Sequence, residues 1–232
     1  MQSKIMIPLK TAIVYYDHFA PLDVFGPLQA MNLCFGLLAD GTPNMACPLF
    51  EHYSVGNEVG TVKVGLNNYG PDVVCAYDFD TLPAVDIILI PGGMGSRIII
   101  DNIDFLGQLK ALVKKTPLVL SICTGAALLA RTGFLDGKKA TSNKTETSWK
   151  WVVGQSNEVL WEYPPRWVGE IDRKAKSGYM TSAGVAAGMD MMLALISTLF
   201  GSQIVQNTQD RMEYTWNSDA AQDPFSKLCP TS

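Results

Sequence analysis

The sequence predicts an α/β fold with a mostly parallel central sheet and helices on both faces, and three observations carry that prediction. VDIILIPGG (85–93) and PLVLSI (117–122) are almost unbroken aliphatic runs, the pattern of strands buried on both faces. Segments with helical apolar spacing alternate with them, as parallel strands require of their connections. No internal repeat, low-complexity tract or convincing linker interrupts the alternation. Residues 1–232 therefore read as a single domain with a core of about 10–214 and an irregular tail at 215–232.

Each element follows from local pattern. TAIVYY (11–16) is a short apolar strand, and helical spacing runs from about Asp23 to Ala39. Gly, Pro and Asn break up 40–82, leaving short strand candidates at 50–55, 60–64 and 72–77. The aliphatic run at 85–93 stops at Pro-Gly-Gly, and a helix follows near 104–115. PLVLSI leads into the helix GAALLARTG, where Gly133 suits a C-terminal cap. A short helix near 145–153 precedes a strand pair at 166–172 and 176–183. The apolar segment 184–201 reads as a buried helix and 202–214 as another, while the tail from Thr215 is polar and interrupted by proline.

Composition narrows the function. A hydrophobic share of 47% is high, yet no run of 18 apolar residues appears, so no membrane span is expected. A chain of this length buries about 70–75% of its unfolded surface and needs no disulfide or metal to fold. Net charge is −4 and the 18 basic residues are scattered, with only short pairs such as Lys114–Lys115 and Lys138–Lys139, so no nucleic-acid face is expected. The five cysteines (34, 47, 75, 123, 229) form no CxxC pair. Together with a first stretch that lacks a signal-peptide core, they predict free thiols in the cytoplasm. His18 and His52 are the sole histidines, too few for an expected zinc site, and no metal or cofactor is anticipated.

Ligands of open α/β sheets bind beyond the carboxyl ends of the strands. Three segments end there informatively: the first strand leads to Asp23, IILIPGG exposes the amides of Gly92 and Gly93, and LVLSICTG exposes Cys123. A thiol at a strand-to-helix turn meets a helix N-terminus, which favours thiolate. Lowering its pKa by roughly 3 units takes about 4 kcal/mol, whereas the helix supplies about 1–2, so a further partner is required. Each residue also has a plainer role. Cys123 is equally a core cysteine, Asp23 an N-cap and Pro-Gly-Gly a tight turn. For Cys34 and Cys75, in apolar segments, core packing is the better reading, and Cys47 and Cys229 sit in proline-flanked stretches without an evident role.

The order of motifs separates these readings. SICTGAALLARTGFLDGKKATSN, with IILIPGG upstream, LDVFGP near the start and TSAGVAAGMDMMLAL downstream, resembles the ThiJ/PfpI superfamily of class I glutamine-amidotransferase-like proteins. The resemblance spans about residues 10–215 and points to the isocyanide hydratase branch and the similar domain of AraC-type regulators. It implies a flavodoxin-like three-layer sandwich and a homodimer with its interface near the site. It also implies Cys123 as nucleophile, Asp23 as the acid that hydrogen-bonds it and moves protons, and Gly92, Gly93, Thr124 and Gly125 as oxyanion or substrate contacts. Asn143, Ser182, Ala183 and Gly184 fall where pocket walls are expected.

The departures steer the chemistry. Thr124 stands where peptidase-like relatives have the histidine of Cys-His-Gly, and ATSNK places Asn143 where the hydratase branch has histidine. Amide cleavage needs a base that becomes an acid for the leaving amine, so protease or glutaminase activity is disfavoured. The expectation is a cofactor-independent hydro-lyase acting on a small electrophile, foremost an isocyanide hydrated to an N-substituted formamide. Three alternatives stand beside it. One is glyoxalase-like conversion of α-oxoaldehydes, whose relatives carry glutamate where this chain has Asp23. Another is a biosynthetic step on a larger ligand, lined by Trp149, Trp151, Trp161, Tyr163 and Trp167. The third is a redox or small-molecule sensor using Cys123. His18, just past the first strand, is placed to approach the site. With no helix-turn-helix segment following the last helix, DNA binding is not expected.

Overall fold

The structure is a computed structural model that describes residues 7–66 and 70–228. Cys229 and residues 1–6 of the stretch scanned above for a signal peptide lie outside the described residues. In chain order the first elements are β1 (Leu9–Val14), α1 (Pro21–Asn32), β2 (Phe35–Leu37), β3 (Pro43–Pro48), β4 (Phe50–Gly56), β5 (Gly60–Lys63), β6 (Asp72–Cys75) and β7 (Tyr77–Asp78). Then come β8 (Ile87–Ile90), α2 (Ser96–Ile99), α3 (Ile103–Lys115), β9 (Leu118–Ile122), α4 (Gly125–Arg131), β10 (Lys139–Ala140), α5 (Glu146–Val153) and β11 (Leu160–Trp161). The chain closes with β12 (Trp167–Asp172), β13 (Ser177–Ser182), α6 (Ala187–Phe200) and α7 (Ser202–Met212).

A seven-stranded sheet in the order β12-β13-β9-β8-β1-β4-β7 runs through the molecule. Every neighbouring pair is parallel except β12–β13, the antiparallel hairpin at one edge. Every residue of β8 and β9 is buried, as the unbroken aliphatic runs require of strands covered on both faces. One group of helices, α1, α6 and α7, packs together, and α2, α3 and α5 pack around α4. Gly26 lets α1 approach α6 closely: a Cβ there would lie 2.7 Å from Met189 Cγ. Asn102 caps α3 by accepting from the Phe105 amide at 2.9 Å, and α4 ends at Gly133 in the left-handed region (φ 78°).

Two expectations need correction. The helix predicted to reach Ala39 stops at Asn32, and β2 follows, paired antiparallel with β3. The run NLCFGLLA is apolar enough for either state. Gly36 decides for the hairpin, because it lets the strand lie against Cys47, whose Sγ would be 2.8 Å from a Cβ at that position. Cys47 accordingly belongs to a strand. The candidate at 72–77 divides into β6, which pairs with β5, and β7, which joins the main sheet. Among the described residues the segment 215–228 carries one short 3-10 turn, Ser226–Leu228, and it is docked. Trp216 Nε1 donates to the Asp190 carbonyl at 3.0 Å, and the Arg166 amide donates to the Ala220 carbonyl at 2.7 Å. Among the described residues no helix is long and apolar enough to cross a membrane.

Candidate active site

The loops after β1, β8 and β9 converge at the carboxyl edge of the sheet. Past β1 the chain turns at His18 (φ 63°), and Phe19 bridges to Gly93. Pro21 then opens α1, which puts Asp23 in the first helical turn, fully buried, rather than at the N-cap, which is Ala20. Pro27 inside α1 has no N–H to return to the Asp23 carbonyl four residues earlier. β8 ends at Pro91-Gly92-Gly93, and the Gly92 amide donates to Asp23 Oδ2 at 2.8 Å. Asp23 Oδ1 has no hydrogen-bond partner among the described residues.

Cys123 joins β9 to α4 with φ 56°, a left-handed conformation that costs a β-carbon residue about 1–3 kcal/mol and clusters at functional sites. Three contacts hold it there. Its amide donates to the Ser182 carbonyl (3.1 Å), its carbonyl accepts from Ser142 Oγ (2.7 Å), and its Sγ accepts from Asn143 Nδ2 (3.2 Å). Thr124 Oγ1 acts on the Cys123 thiol and also ties the elbow to the neighbouring loop. It accepts from the Gly93 amide (2.9 Å) and from Ser96 Oγ (2.9 Å). The two Pro-Gly-Gly amides expected to be free for an oxyanion are thus already engaged by Asp23 and Thr124. Gly125 supports the turn, since a Cβ there would lie 2.6 Å from the Pro91 carbonyl oxygen.

Electrostatics hold the thiol neutral. The helix N-terminus favours thiolate without sufficing for it, and burial dominates and pushes the Cys123 thiol up to about 12, with the Asp23 charge adding to it. Asn143 and the Thr124 amide pull the other way. Burial likewise raises the Asp23 carboxyl to about 7, against the lowering hydrogen bond from Gly92. At neutral pH the proton therefore sits on sulfur, and Asp23 is near its midpoint. The expected hydrogen bond from Asp23 to the thiol is absent, because Oδ2 is taken by Gly92 and Oδ1 is orphaned. Tyr16, missed by sequence reasoning, flanks the pair. It is buried, donates to the Pro91 carbonyl at 2.6 Å, and is held neutral by burial and by the charges of Asp23 and Cys123.

Asn143, Ser182 and Gly184 lie next to Cys123, and Ala183 follows Ser182. Gly184 leaves room for Asn143: a Cβ there would collide with Asn143 Nδ2 and lie 3.4 Å from Cys123 Sγ. Ser182 and Ala183 contribute backbone, Ser182 through its bond to Cys123 and Ala183 by donating to the Arg166 carbonyl. His18 does not reach the thiol. Its Nδ1 pairs with the Gly65 carbonyl at 2.8 Å, and it borders a cavity of 390 Å³ with Tyr15, Tyr16, Asp17 and Glu58. The aromatic residues divide, three of them together and two apart. Trp149 packs on Trp161 and Tyr163, Trp151 lies under Arg97, and Trp167 is buried at the start of β12. Ser96, Ser142 and Tyr16 had no sequence signal beyond proximity to a motif.

Gly92→Ala is expected to destabilise the protein by about 1–3 kcal/mol. Its Cβ would fall 2.6 Å from Thr124 Oγ1 and 3.0 Å from Asp23 Oδ2, a crowd with no exit. Urea unfolding checks this, and an unchanged midpoint would mean that the loop yields more readily than these distances imply.

A parallel α/β sheet bearing a strained cysteine elbow, with a buried carboxylate on the first helix and a Pro-Gly-Gly loop between them, defines a glutamine-amidotransferase-like α/β protein. Residues 10–198 match the sequence model of the DJ-1/PfpI family, and the chain belongs to that family. Isonitrile hydratase of Pseudomonas putida is 29% identical over 137 residues, 59% of this chain and 55% of the relative. The HTH-type transcriptional regulator GbdR of Pseudomonas aeruginosa is 29% identical over 127 residues, 54% of this chain and 31% of the regulator. The match thus spans about half of the hydratase and less than a third of the regulator. A THiJ/PfpI family protein of Pseudomonas syringae superposes with a TM-score of 0.72 at 22% identity, over 90% of this chain and 76% of the other, a likeness of fold.

Proposed function

We propose that the chain is a cysteine-dependent hydro-lyase that converts a small isocyanide to an N-substituted formamide. The observation that carries this reading is the buried Cys123–Asp23 pair, with Asn143 rather than a histidine on the sulfur. Cys123 is 5% exposed, an opening that suits the terminal carbon of a linear group better than the flanked carbonyl of an amide.

Asp23 Oδ1 takes the S–H proton as sulfur attacks the isocyanide carbon. That carbon receives the same proton, which leaves a thioimidate, Cys–S–CH=N–R. Water adds across C=N, and collapse of the adduct breaks the C–S bond, re-forms the thiol and releases R–NH–CHO. A complete proton transfer from a thiol near 12 to a carboxylate near 7 costs about 7 kcal/mol. That fits within the barrier of about 16 kcal/mol for a turnover of roughly 10 per second. Glyoxalase-like chemistry uses the same thiol, but no histidine accompanies it among the described residues. Homodimerisation is supported by exposed Leu22 and Phe25, which border a depression with Met189 and Met212 beside Asp23's helix.

Incubation with cyclohexyl isocyanide in ¹⁸O-water tests the reading: labelled N-cyclohexylformamide is the expected product. No formamide above the buffer rate, beside lactate from methylglyoxal in a parallel arm, would overturn it in favour of the oxoaldehyde reaction.

A further inference from the structure

Lys144 is a buried charge for which the site so far has no use. It is 2% exposed and immediately follows Asn143, the donor to the thiol. Its ammonium lies 5.4 Å from the Trp149 ring centroid and 5.2 Å from that of Tyr163, and it donates to Thr141 Oγ1. The Lys144 carbonyl accepts from the Tyr163 hydroxyl at 2.8 Å. Thr141 is fixed in turn, since its amide donates to Thr181 Oγ1 on β13 at 2.8 Å. The turn 141–144 is thus clamped at both ends, and its middle residues contact Cys123: Ser142 at the carbonyl and Asn143 at the sulfur. The aromatic cluster that suggested a ligand pocket in sequence holds a cation of the chain itself.

Fold stability alone gives no reason to bury this charge. Replacing a buried ionic group by an apolar one of similar volume is often neutral or stabilising. What the charge adds here is direction. We propose that Lys144 is a positioning residue for Cys123: its caged ammonium fixes the turn that aims the Asn143 amide at the sulfur.

Asp223 is buried and lies 3.5 Å from Arg166 Nη1, and Arg166 in turn pairs with Asp190 of α6 at 2.6 Å. The charged groups facing Lys144 are therefore Asp223, which favours its cation, and Arg166, which opposes it. Burial, reinforced by Arg166, outweighs Asp223 and lowers Lys144 to about 8. The rings of Trp149 and Tyr163 complete its surroundings. On the far side of the turn, Asp23 and Tyr16 face the thiol itself. This proposal shares with the hydratase reading only that Cys123 is a reacting thiol, so its test avoids turnover.

The probe is iodoacetamide, with Cys123 alkylation followed by peptide mass spectrometry on the full-length chain from pH 6 to 10. In the wild type the logarithm of the rate is expected to climb with pH and flatten above about 8, where Lys144 loses its proton and the Asn143 donor loosens. Lys144→Met is expected to run roughly tenfold slower at pH 7, the weight of one hydrogen bond to the reacting state, and to show no break near 8. Lys144→Arg, which cannot titrate, should keep the wild-type rate at pH 7 and also lack the break. Asp23 titration near 7 bends every profile alike and serves as internal reference. In an Asn143→Ala background, Lys144→Met should add nothing. If Lys144→Met does not fold, Asp223→Asn decides instead, because the break should then move to lower pH. A wild-type rate in Lys144→Met, additive losses with Asn143→Ala, an unmoved break in Asp223→Asn or an unmoved break in Lys144→Arg each overturn the proposal.

Discussion

Cys123→Ala is expected to reduce isocyanide hydration to the buffer rate, a loss of at least about 10⁴-fold, while the protein melts within a few degrees of wild type. Removing a nucleophile leaves only the catalysis that binding and nearby dipoles supply. Here those dipoles are few, because the Gly92 and Gly93 amides already serve Asp23 and Thr124. Cys123→Ser is expected to be nearly as inactive. Its hydroxyl is far less acidic than a thiol already raised to about 12, and Asp23 at about 7 is too weak a base to compensate. The fold should tolerate both changes, since the backbone bonds to Ser182 and Ser142 are independent of the sulfur. Steady-state kinetics with an aryl isocyanide measures the loss, and rapid quench with mass spectrometry should find the thioimidate on the peptide that contains Cys123. Turnover in Cys123→Ala within about tenfold of wild type would remove the thiol from the mechanism.

How far the sequence leads is clearest from particular residues. The strands β8 and β9 are legible because aliphatic runs this short, bounded by turn residues, have few alternatives in an α/β chain. The positions of Cys123, Asp23 and the Pro-Gly-Gly loop follow from strand ends, since parallel strands deliver their next residues to one edge. The β2–β3 hairpin is not legible, because an apolar run such as NLCFGLLA satisfies helix and strand alike until a partner strand is placed. Thiol acidity escapes for a related reason. The helix N-terminus can be read from order along the chain, whereas burial, the larger effect, depends on everything packed around the sulfur. Lys144 shows the same limit: Trp149, Tyr163 and the lysine become a cage only when α5 and the following loop fold back together.

Above neutral pH, Asp23→Asn should change stability and activity in opposite directions, and its pH dependence separates the two. In the unfolded chain Asp23 ionises at its ordinary value of 3.8; in the fold it keeps its proton up to about 7. Below 3.8 both states are protonated and the group costs nothing. Between these values the folded state binds the extra proton, so the native protein loses stability as pH rises, reaching a penalty of about 4 kcal/mol above 7. The asparagine variant carries no such dependence. Its amide oxygen can still accept from Gly92, and its nitrogen occupies the place of the orphaned Oδ1 with nothing to donate to. That unmet donor offsets part of the gain by about 1–3 kcal/mol, so the absolute difference is modest. The slope is not: the stability of wild type relative to Asp23→Asn should fall by about 4 kcal/mol between about pH 4 and 8, or roughly 8–16 °C in melting temperature. Hydration should fall by about 10³-fold in the same variant at every pH, because Asp23 is the group assigned to exchange a proton with the sulfur. Calorimetry across that range reads the first effect and steady-state kinetics the second. Parallel melting curves would mean that Asp23 is not held near neutrality by its burial, and the proton transfer assigned to it would lose its physical basis.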